Sequence, residues 1–280
     1  MKKPRLIVTA DDFGLLPEVN DAILAGYECG VVTSASLRVS ATASRSAAAA
    51  AHLRPGLAVG LQLVLCGGQS TLPRRHIHDL VDSTGRFVDR PLEAAWLYRS
   101  RGGLREQLKA EIRAQIERFL ATGLYLSFVS SNFQLHLHPS VLSILKELAV
   151  DYPVYALRRP CSGLVAAERL AATAHDIGSR VEGRLVGGMV RYGGWRAGGF
   201  VGPDRVEALN PQRPATEGDV AARLGRLRAG VTELVCHPGS MLSQFDGVAD
   251  AAVVTSRRVR TALAESEAEL ISYRTLFEEI

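Results

Sequence analysis

The chain has few cysteines, and their spacing suggests no cross-link. Cys29, Cys66, Cys161 and Cys236 are scattered through 280 residues without a CxxC pair. Isolated cysteines of this kind are typical of small buried hydrophobic side chains in a reducing compartment. We therefore expect neither a disulfide framework nor a structural zinc site built on cysteine.

Long apolar runs and blocks of one charge are also missing. The apolar run that begins at Leu6 stops at Asp11, too early for a signal peptide, and no span of about 20 apolar residues follows. The 33 basic and 29 acidic residues are interspersed and give a net charge of +4. This pattern predicts a cytoplasmic protein with no transmembrane segment and no nucleic-acid partner. It indicates nothing about the oligomeric state.

Nucleotide-binding motifs are absent too. No GxGxxG follows the first predicted strand, and GxxxxGK[ST] does not occur. A hydrophobic content of 47% and a charged content of 22% fit a globular protein with a sizeable core. Without an internal repeat or a linker, residues 1–280 are predicted to form a single domain.

What the sequence does contain is an alternation of short β-branched runs with amphipathic helical stretches. This alternation predicts the α/β class, as a single TIM-like (β/α) barrel with about seven mostly parallel strands. The predicted strands are Arg5–Ala10, Val32–Val39, Leu57–Leu65, Leu126–Ser130, Pro153–Leu157, Arg184–Gly188 and Thr232–Cys236. The predicted helices begin at Pro17, cover Leu104–Leu120, begin at Pro139, and cover Val165–His175, Glu217–Arg228 and Thr255–Glu267. A Gly-rich segment at 192–200 is either a lid over a site or a plain connecting loop.

Polar side chains stand where these strands end. Asp11 and Asp12 follow the first strand directly, Gln62 is the lone polar residue of the third, and His237 ends the last. Active sites of such barrels lie at the carboxyl ends of the strands. The carboxylate pair fits a cation ligand beside a proton acceptor, or a solvated turn that caps the next helix. His237 fits a general acid or base, or a hydrogen bond into the rim.

His136 and His138 alternate in the segment after the fourth predicted strand. On an extended backbone both side chains would lie on the same side. An HxH pair fits metal binding and structural hydrogen bonding about equally well.

Six pieces of sequence, in this order, resemble one family. They are LIVTADDFG with Pro17, Val19 and Asn20, VVTSASL, VGLQL, HLHP, ELVCHPG and ISYR. Together they resemble the YdjC-like carbohydrate deacetylase family, most closely its hopanoid-biosynthesis (HpnK) type. The resemblance implies a barrel hydrolase that removes acetyl groups from acetylated amino sugars with a divalent metal, zinc or magnesium. It implies that Asp11 is the catalytic base, Asp12 the metal-binding carboxylate and His237 the acid.

The sequence departs from the family's pattern at the metal ligands. Gln62 and Asn132 stand at the positions of ligand histidines, and Phe128 and Gln134 at those of neighbouring histidines. Amide oxygens suit calcium better than zinc, so this set should hold zinc poorly. Asp12, His136 and His138 remain the only candidate metal ligands.

Two arginines accompany this change. Arg38 stands where family members generally carry Met. We hypothesise that its guanidinium lies near Asp11 and Asp12 and supplies charge in place of a metal; the alternative is a solvent-facing side chain. Arg158 matches a family arginine at a strand end, either as a substrate contact or as a surface charge.

These observations favour a metal-independent acid–base enzyme that uses the Asp pair and His237 and has no cofactor. Its substrate would be a small molecule, an acylated sugar or specialised metabolite. The candidate substrate-binding residues are Arg38, Gln62, Asn132, Gln134 and Arg158. The alternatives are a metal-dependent N-deacetylase of an acetylated amino sugar or glycolipid, and a catalytically inactive binding homologue.

Overall fold

The computed structural model describes residues 3–99, 102–161, 199–209, 215–239 and 247–278. Its centre is a curled, seven-stranded sheet in which every strand pair is parallel. The strands are β1 (Pro4–Phe13), β2 (Ser34–Leu37), β3 (Ala58–Leu63), β4 (Val129–Ser131), β5 (Arg205–Ala208), β6 (Gly230–Cys236) and β7 (Glu269–Leu270). They are ordered β4-β3-β2-β1-β6-β5, with β7 also pairing with β1.

Helices connect the strands. In the described part of the chain they are α1 (Pro17–Glu28), α2 (Ser44–His52), α3 (Pro91–Leu97), α4 (Gly103–Leu120), α5 (Pro139–Leu148), α6 (Glu217–Leu224), α7 (Gly247–Thr255), α8 (Arg257–Glu265) and α9 (Tyr273–Glu278). Three of them begin with proline, whose missing N–H costs nothing at the first helical position. In α4 the four-residue repeat buries Leu108, Ile112 and Ile116.

The two faces of β1 are buried in different clusters. Leu6, Val8 and Ala10 belong to the large core between the sheet and the helices. Ile7 belongs to a smaller cluster with Tyr273 and six other buried residues. Because side chains alternate along a strand, Ile7 and Asp11 share one face of β1. The Asp11 side chain therefore lies on the face of the sheet opposite the large core.

The prediction of a parallel α/β fold is confirmed, whereas closure into a full barrel stays a prediction. Beyond β4, isolated parallel bridges join Val129 to Leu157 and Ala156 to Val201. In place of the strand predicted at Pro153–Leu157, the described residues form these bridges alone. No described residues complete the ring between there and β5.

The other predicted strands and helices had different outcomes. The strand predicted at Arg184–Gly188, the helix at Val165–His175 and most of the Gly-rich segment lie outside the described residues. The helix predicted at Thr255–Glu267 was wrong as one element, because Ser256 is non-helical and its side chain caps α8 instead. Strands β5 and β7 were not predicted.

Two further expectations concern cysteines and membranes. All four cysteines are free; Cys66 and Cys236 are buried as expected, whereas Cys161 is half-buried and Cys29 exposed. None of the helices in the described ranges is long and apolar enough to cross a membrane.

Candidate functional site

Strand β1 continues past the two carboxylates instead of ending before them. Its register against β2 shifts between Ala10 and Phe13, which marks a bulge at the Asp pair. Within the bulge Asp12 adopts φ 68°, a left-handed conformation that aspartate tolerates better than most residues. Such strain costs about 1–3 kcal/mol and persists only where surrounding contacts maintain it. Asp11 and Asp12 are both buried, at 5% and 2% exposure.

Asp11 is held by a bidentate ion pair. Arg158 donates from Nη1 to Oδ2 at 2.7 Å and from Nη2 to Oδ1 at 2.8 Å, and the Ser36 hydroxyl donates to Oδ1 at 2.6 Å. Burial by itself raises the pKa of Asp11, but the Arg158 charge and hydrogen bonds outweigh it and lower the pKa to about 2. Asp11 is therefore an anion at any physiological pH.

Arg158 does not have the position of a substrate contact. It is only 5% exposed, and its Nε donates to Glu233 Oε1 at 3.0 Å. Glu233 in turn accepts from the Tyr273 hydroxyl at 2.7 Å. Burial opposes the charge of Arg158, yet Asp11 and Glu233 raise its pKa well above the usual value. All three of its nitrogens donate to protein carboxylates, which offsets the cost of burying the charge.

Asp12 has a different environment. Its Oδ1 accepts from Gln62 Nε2 at 3.1 Å and from Arg38 Nη1 at 3.2 Å. Burial raises the pKa of Asp12, and the nearby Asp11 charge adds to this, while Arg38 and Gln62 act in the opposite direction. The Arg38 guanidinium is thus beside Asp12, where the sequence hypothesis put it.

The residues at the family's metal positions come together but do not fit a divalent metal. Gln62 Oε1 accepts from the Asp12 backbone N–H at 2.8 Å, which fixes the orientation of the amide because that N–H can only donate. The Gln62 NH₂ group therefore faces Asp12 Oδ1 and Asn132 Oδ1, the latter at 2.6 Å. At this position Gln62 offers donors and not a lone pair, and a guanidinium lies alongside. No group of three or more His, Cys, Asp or Glu in the described ranges is arranged to hold a metal.

The two histidines predicted as metal ligands contact protein groups, His136 through both ring nitrogens and His138 through Nδ1. His136 Nε2 lies 2.9 Å from the Arg158 carbonyl oxygen and Nδ1 lies 2.7 Å from Ser131 Oγ, so both ring nitrogens have partners. His138 Nδ1 accepts from the Ser140 N–H at 3.3 Å. Burial lowers the pKa of each histidine to about 4.

The backbone that carries His136 is not extended, so the two side chains are not placed by strand alternation. Asn132–Leu137 forms 3₁₀ turns, and Phe133 and Gln134 have φ values of 53° and 57°. Gln134 Oε1 accepts from the Cys161 N–H at 2.9 Å. This contact gives the side chain a structural partner, and its role in substrate binding stays a prediction.

His237 follows β6 and reaches the Asp pair. Its Nε2 is 3.8 Å from Asp11 Oδ2, close enough for charge interaction but too long for a direct hydrogen bond. Its backbone N–H donates to Asp250 Oδ2 at 2.7 Å. Strands β1 and β6 are paired in register from Pro4↔Gly230 to Ala10↔Cys236, which brings the residues after them side by side.

Sequence reasoning missed Ser36, Glu233, Tyr273 and Asp250 as parts of this site. A glutamate inside the otherwise apolar run of β6 was an available signal, since a buried strand rarely carries a charge without a partner. Tyr273 lay within the ISYR segment that carried part of the resemblance. Nothing in the local sequence distinguishes Ser36 or Asp250.

The fold is thus a parallel α/β sheet with a buried Asp–Arg–His cluster at its carboxyl edge, and that cluster contains groups capable of acid–base chemistry. The profile of the family described as YdjC-like protein matches residues 5–265. The chain belongs to the YdjC-like family.

Related proteins described as carbohydrate deacetylases agree with this assignment. The chain is 38% identical to one of Brevibacillus brevis over 154 residues, which are 54% of this chain and 57% of that protein. It is 25% identical to one of Clostridium beijerinckii over 97% of this chain and all of that one. A mouse relative is 31% identical over 84% of this chain and 78% of its own length. The match to the Brevibacillus protein thus covers little more than half of it.

The fold has a counterpart among solved structures. A crystal structure from Enterococcus faecalis, described as a candidate cellobiose-phosphate cleavage protein, superposes with a TM-score of 0.70 over 98% of this chain and 99% of that one. Their sequences are 24% identical. At that identity the likeness concerns the fold alone.

Proposed function

We propose that this YdjC-like protein removes an acyl group from an acylated sugar by acid–base chemistry that needs no divalent metal. The observation that carries the proposal is the hydrogen-bonded set Asp12–Gln62–Asn132 with Arg38 beside it. Gln62 directs its NH₂ donors, and Arg38 a fixed positive charge, to the place where a metal would need a further lone pair. The carbohydrate deacetylases among the relatives support the substrate class.

The two carboxylates suit different roles. A general base works best when its pKa lies near the working pH, which favours Asp12, with its raised pKa, over Asp11. Asp11, with a pKa of about 2 and both oxygens bonded, suits an orienting anion for His237. In this proposal Asp12 is the general base, whereas the family resemblance gives that role to Asp11.

The reaction then needs three groups of the protein. Asp12 accepts a proton from water as the water oxygen attacks the acyl carbonyl carbon. Arg38 stabilises the negative oxygen that forms, as preorganised donors do in oxyanion sites. Its Nε–H has no hydrogen-bond partner among the described residues. His237 gives a proton to the leaving nitrogen or oxygen as the acyl bond breaks, and solvent carries the Asp12 proton back to His237.

Measuring both the bound metal and the turnover of the protein tests the proposal. Protein purified without chelator is dialysed against excess zinc or magnesium, and acetate release from N,N′-diacetylchitobiose and from a peracetylated sugar is followed before and after a chelator. We expect no stoichiometric metal and unchanged turnover. One tightly held metal per chain, with turnover lost to the chelator, would establish the metal-dependent deacetylase instead.

Reversion variants examine the same reasoning without relying on turnover. The triple variant R38M/Q62H/N132H restores two imidazoles beside Asp12 and removes the competing guanidinium. We expect it to gain a zinc site measurable by calorimetry. The control L53H/Q69H adds two histidines at exposed positions and should gain none.

The binding homologue makes a different prediction. If His237→Ala and Asp12→Asn both retain full affinity for an acylated sugar and the wild type turns over neither substrate, the protein binds the sugar without catalysis.

A further inference from the structure

Two buried polar side chains have no part in the acid–base scheme. Glu233 lies within β6 and Tyr273 opens α9, and both are 0% exposed. A carboxylate inside a strand is expensive to desolvate unless its partners are well placed. Their contacts therefore indicate what the two residues do.

These contacts form one continuous chain to the Asp pair. The Tyr273 hydroxyl donates to Glu233 Oε2 at 2.7 Å, and Glu233 Oε1 accepts from Arg158 Nε at 3.0 Å. The other edge of the same guanidinium bonds both oxygens of Asp11. A guanidinium is planar and rigid, so fixing its Nε edge also fixes the plane of the fork that holds Asp11.

The tyrosine is seated firmly enough to act as an anchor. Its ring stacks on Phe128 with centroids 3.9 Å apart and planes 14° apart, and its N–H donates to Ser34 Oγ at 3.2 Å. Room for Phe128 depends on Gly60, where a Cβ atom would lie 2.5 Å from the Phe128 ring. Tyr273, three residues after the end of β7, is thus held in place by packing on its ring and a hydrogen bond from its backbone.

We infer that Glu233 and Tyr273 are positioning residues. They hold the Nε edge of Arg158, so that the opposite edge of the guanidinium orients Asp11. Asp11 in turn orients His237. The inference rests on the proposed function in one respect, which is the role of Asp11 in orienting the general acid His237. Neither residue touches the substrate in this scheme. Loss of the anchor lets the Asp11–Arg158 pair rotate without removing either partner.

Tyr273→Phe is the decisive variant, because it deletes one oxygen and leaves the stacked ring. Glu233→Gln keeps an acceptor for Arg158 Nε but removes the charge, whereas Glu233→Leu removes both. Tyr98→Phe is the matched control, since Tyr98 is equally buried and its hydroxyl bonds the Leu65 carbonyl, away from this chain of contacts. Thermal unfolding confirms that each variant is folded.

Two readouts follow. The first is the NMR signal of Arg158 Nε–H, with its hydrogen exchange rate, which needs no substrate. The second is kcat and KM for acetate release from N,N′-diacetylchitobiose. We expect Tyr273→Phe to shift the Nε–H signal, speed its exchange and lower kcat about 10-fold to 100-fold with KM within about twofold. Glu233→Gln should retain more activity than Glu233→Leu.

An unchanged Nε–H signal in folded Tyr273→Phe and Glu233→Gln would overturn the inference, and so would an equal loss of kcat in Tyr98→Phe. Failure of the proposed function is seen separately, as wild-type turnover that a chelator abolishes. If the wild type turns over neither substrate, the NMR readout alone decides the positioning role.

Discussion

Replacement of Arg158 by methionine should destabilise the protein more than any exposed arginine substitution, and the loss should depend on pH. The variant keeps the length and apolar part of the side chain but leaves Asp11 and Glu233 buried without their cation. Removing one partner of a buried ion pair costs about 3–5 kcal/mol. With typical stabilities of about 5–15 kcal/mol, that is a large share of the free energy of unfolding.

The pH dependence follows from Asp11. Its pKa falls from 3.8 to about 2 on folding, which corresponds to about 2 kcal/mol of stability. Because the folded pKa is depressed, this stability is fully present above pH 3.8 and is lost as the pH falls towards 2. In the variant, burial without Arg158 raises the pKa of Asp11 instead. The difference between the two proteins should therefore be largest near pH 7 and shrink below pH 4.

Urea unfolding followed by circular dichroism at pH 7, 5 and 3 measures this difference, and urea avoids the ionic effects of guanidinium. Arg105→Met is the control, because Arg105 pairs with the half-exposed Glu147 and such surface pairs contribute at most about 1 kcal/mol. A loss for Arg158→Met below about 1 kcal/mol at pH 7, or an equal loss at pH 7 and pH 3, would refute the reasoning.

Three other changes have definite expected outcomes. His237→Ala should lower kcat about 10²–10⁴-fold on an acylated sugar, with the thermal midpoint nearly unchanged, because a general acid is removed; a variant with full kcat would contradict its role. Gly60→Ala should cost about 1–3 kcal/mol by urea unfolding, since its Cβ would lie 2.5 Å from the Phe128 ring; an unchanged midpoint would contradict this packing. Glu111→Ala should leave two backbone N–H groups of the 71–72 loop without their acceptor and speed proteolysis there, and equal cleavage rates would contradict that anchoring role.

Helices were predictable where the signal was local. The spacing of apolar residues predicted α4, and Pro139 predicted the start of α5, because periodicity and proline geometry act within a few residues. The turn after β4 was not predictable in this way. Phe133 and Gln134 adopt left-handed backbone conformations that glycine usually signals, and neither residue is glycine.

The sequence by itself determined which side chains would stand at the carboxyl edge of the sheet. Asp11, Asp12, Gln62 and His237 each end or interrupt an apolar strand, and parallel strands present their carboxyl ends at one edge. The family resemblance further implied that Gln62 and Asn132 stand where relatives carry ligand histidines.

Only the tertiary structure decided which partner each of these side chains has. Asp11 is bonded by an arginine 147 residues away, and the orientation of Gln62 is fixed by the backbone of a residue 50 positions earlier. Charge, pKa and metal affinity depend on separations of a few ångströms, which strand register and the bulge at Asp12 set. Sequence order does not contain those distances, so the different environments of Asp11 and Asp12 emerged only from the folded chain.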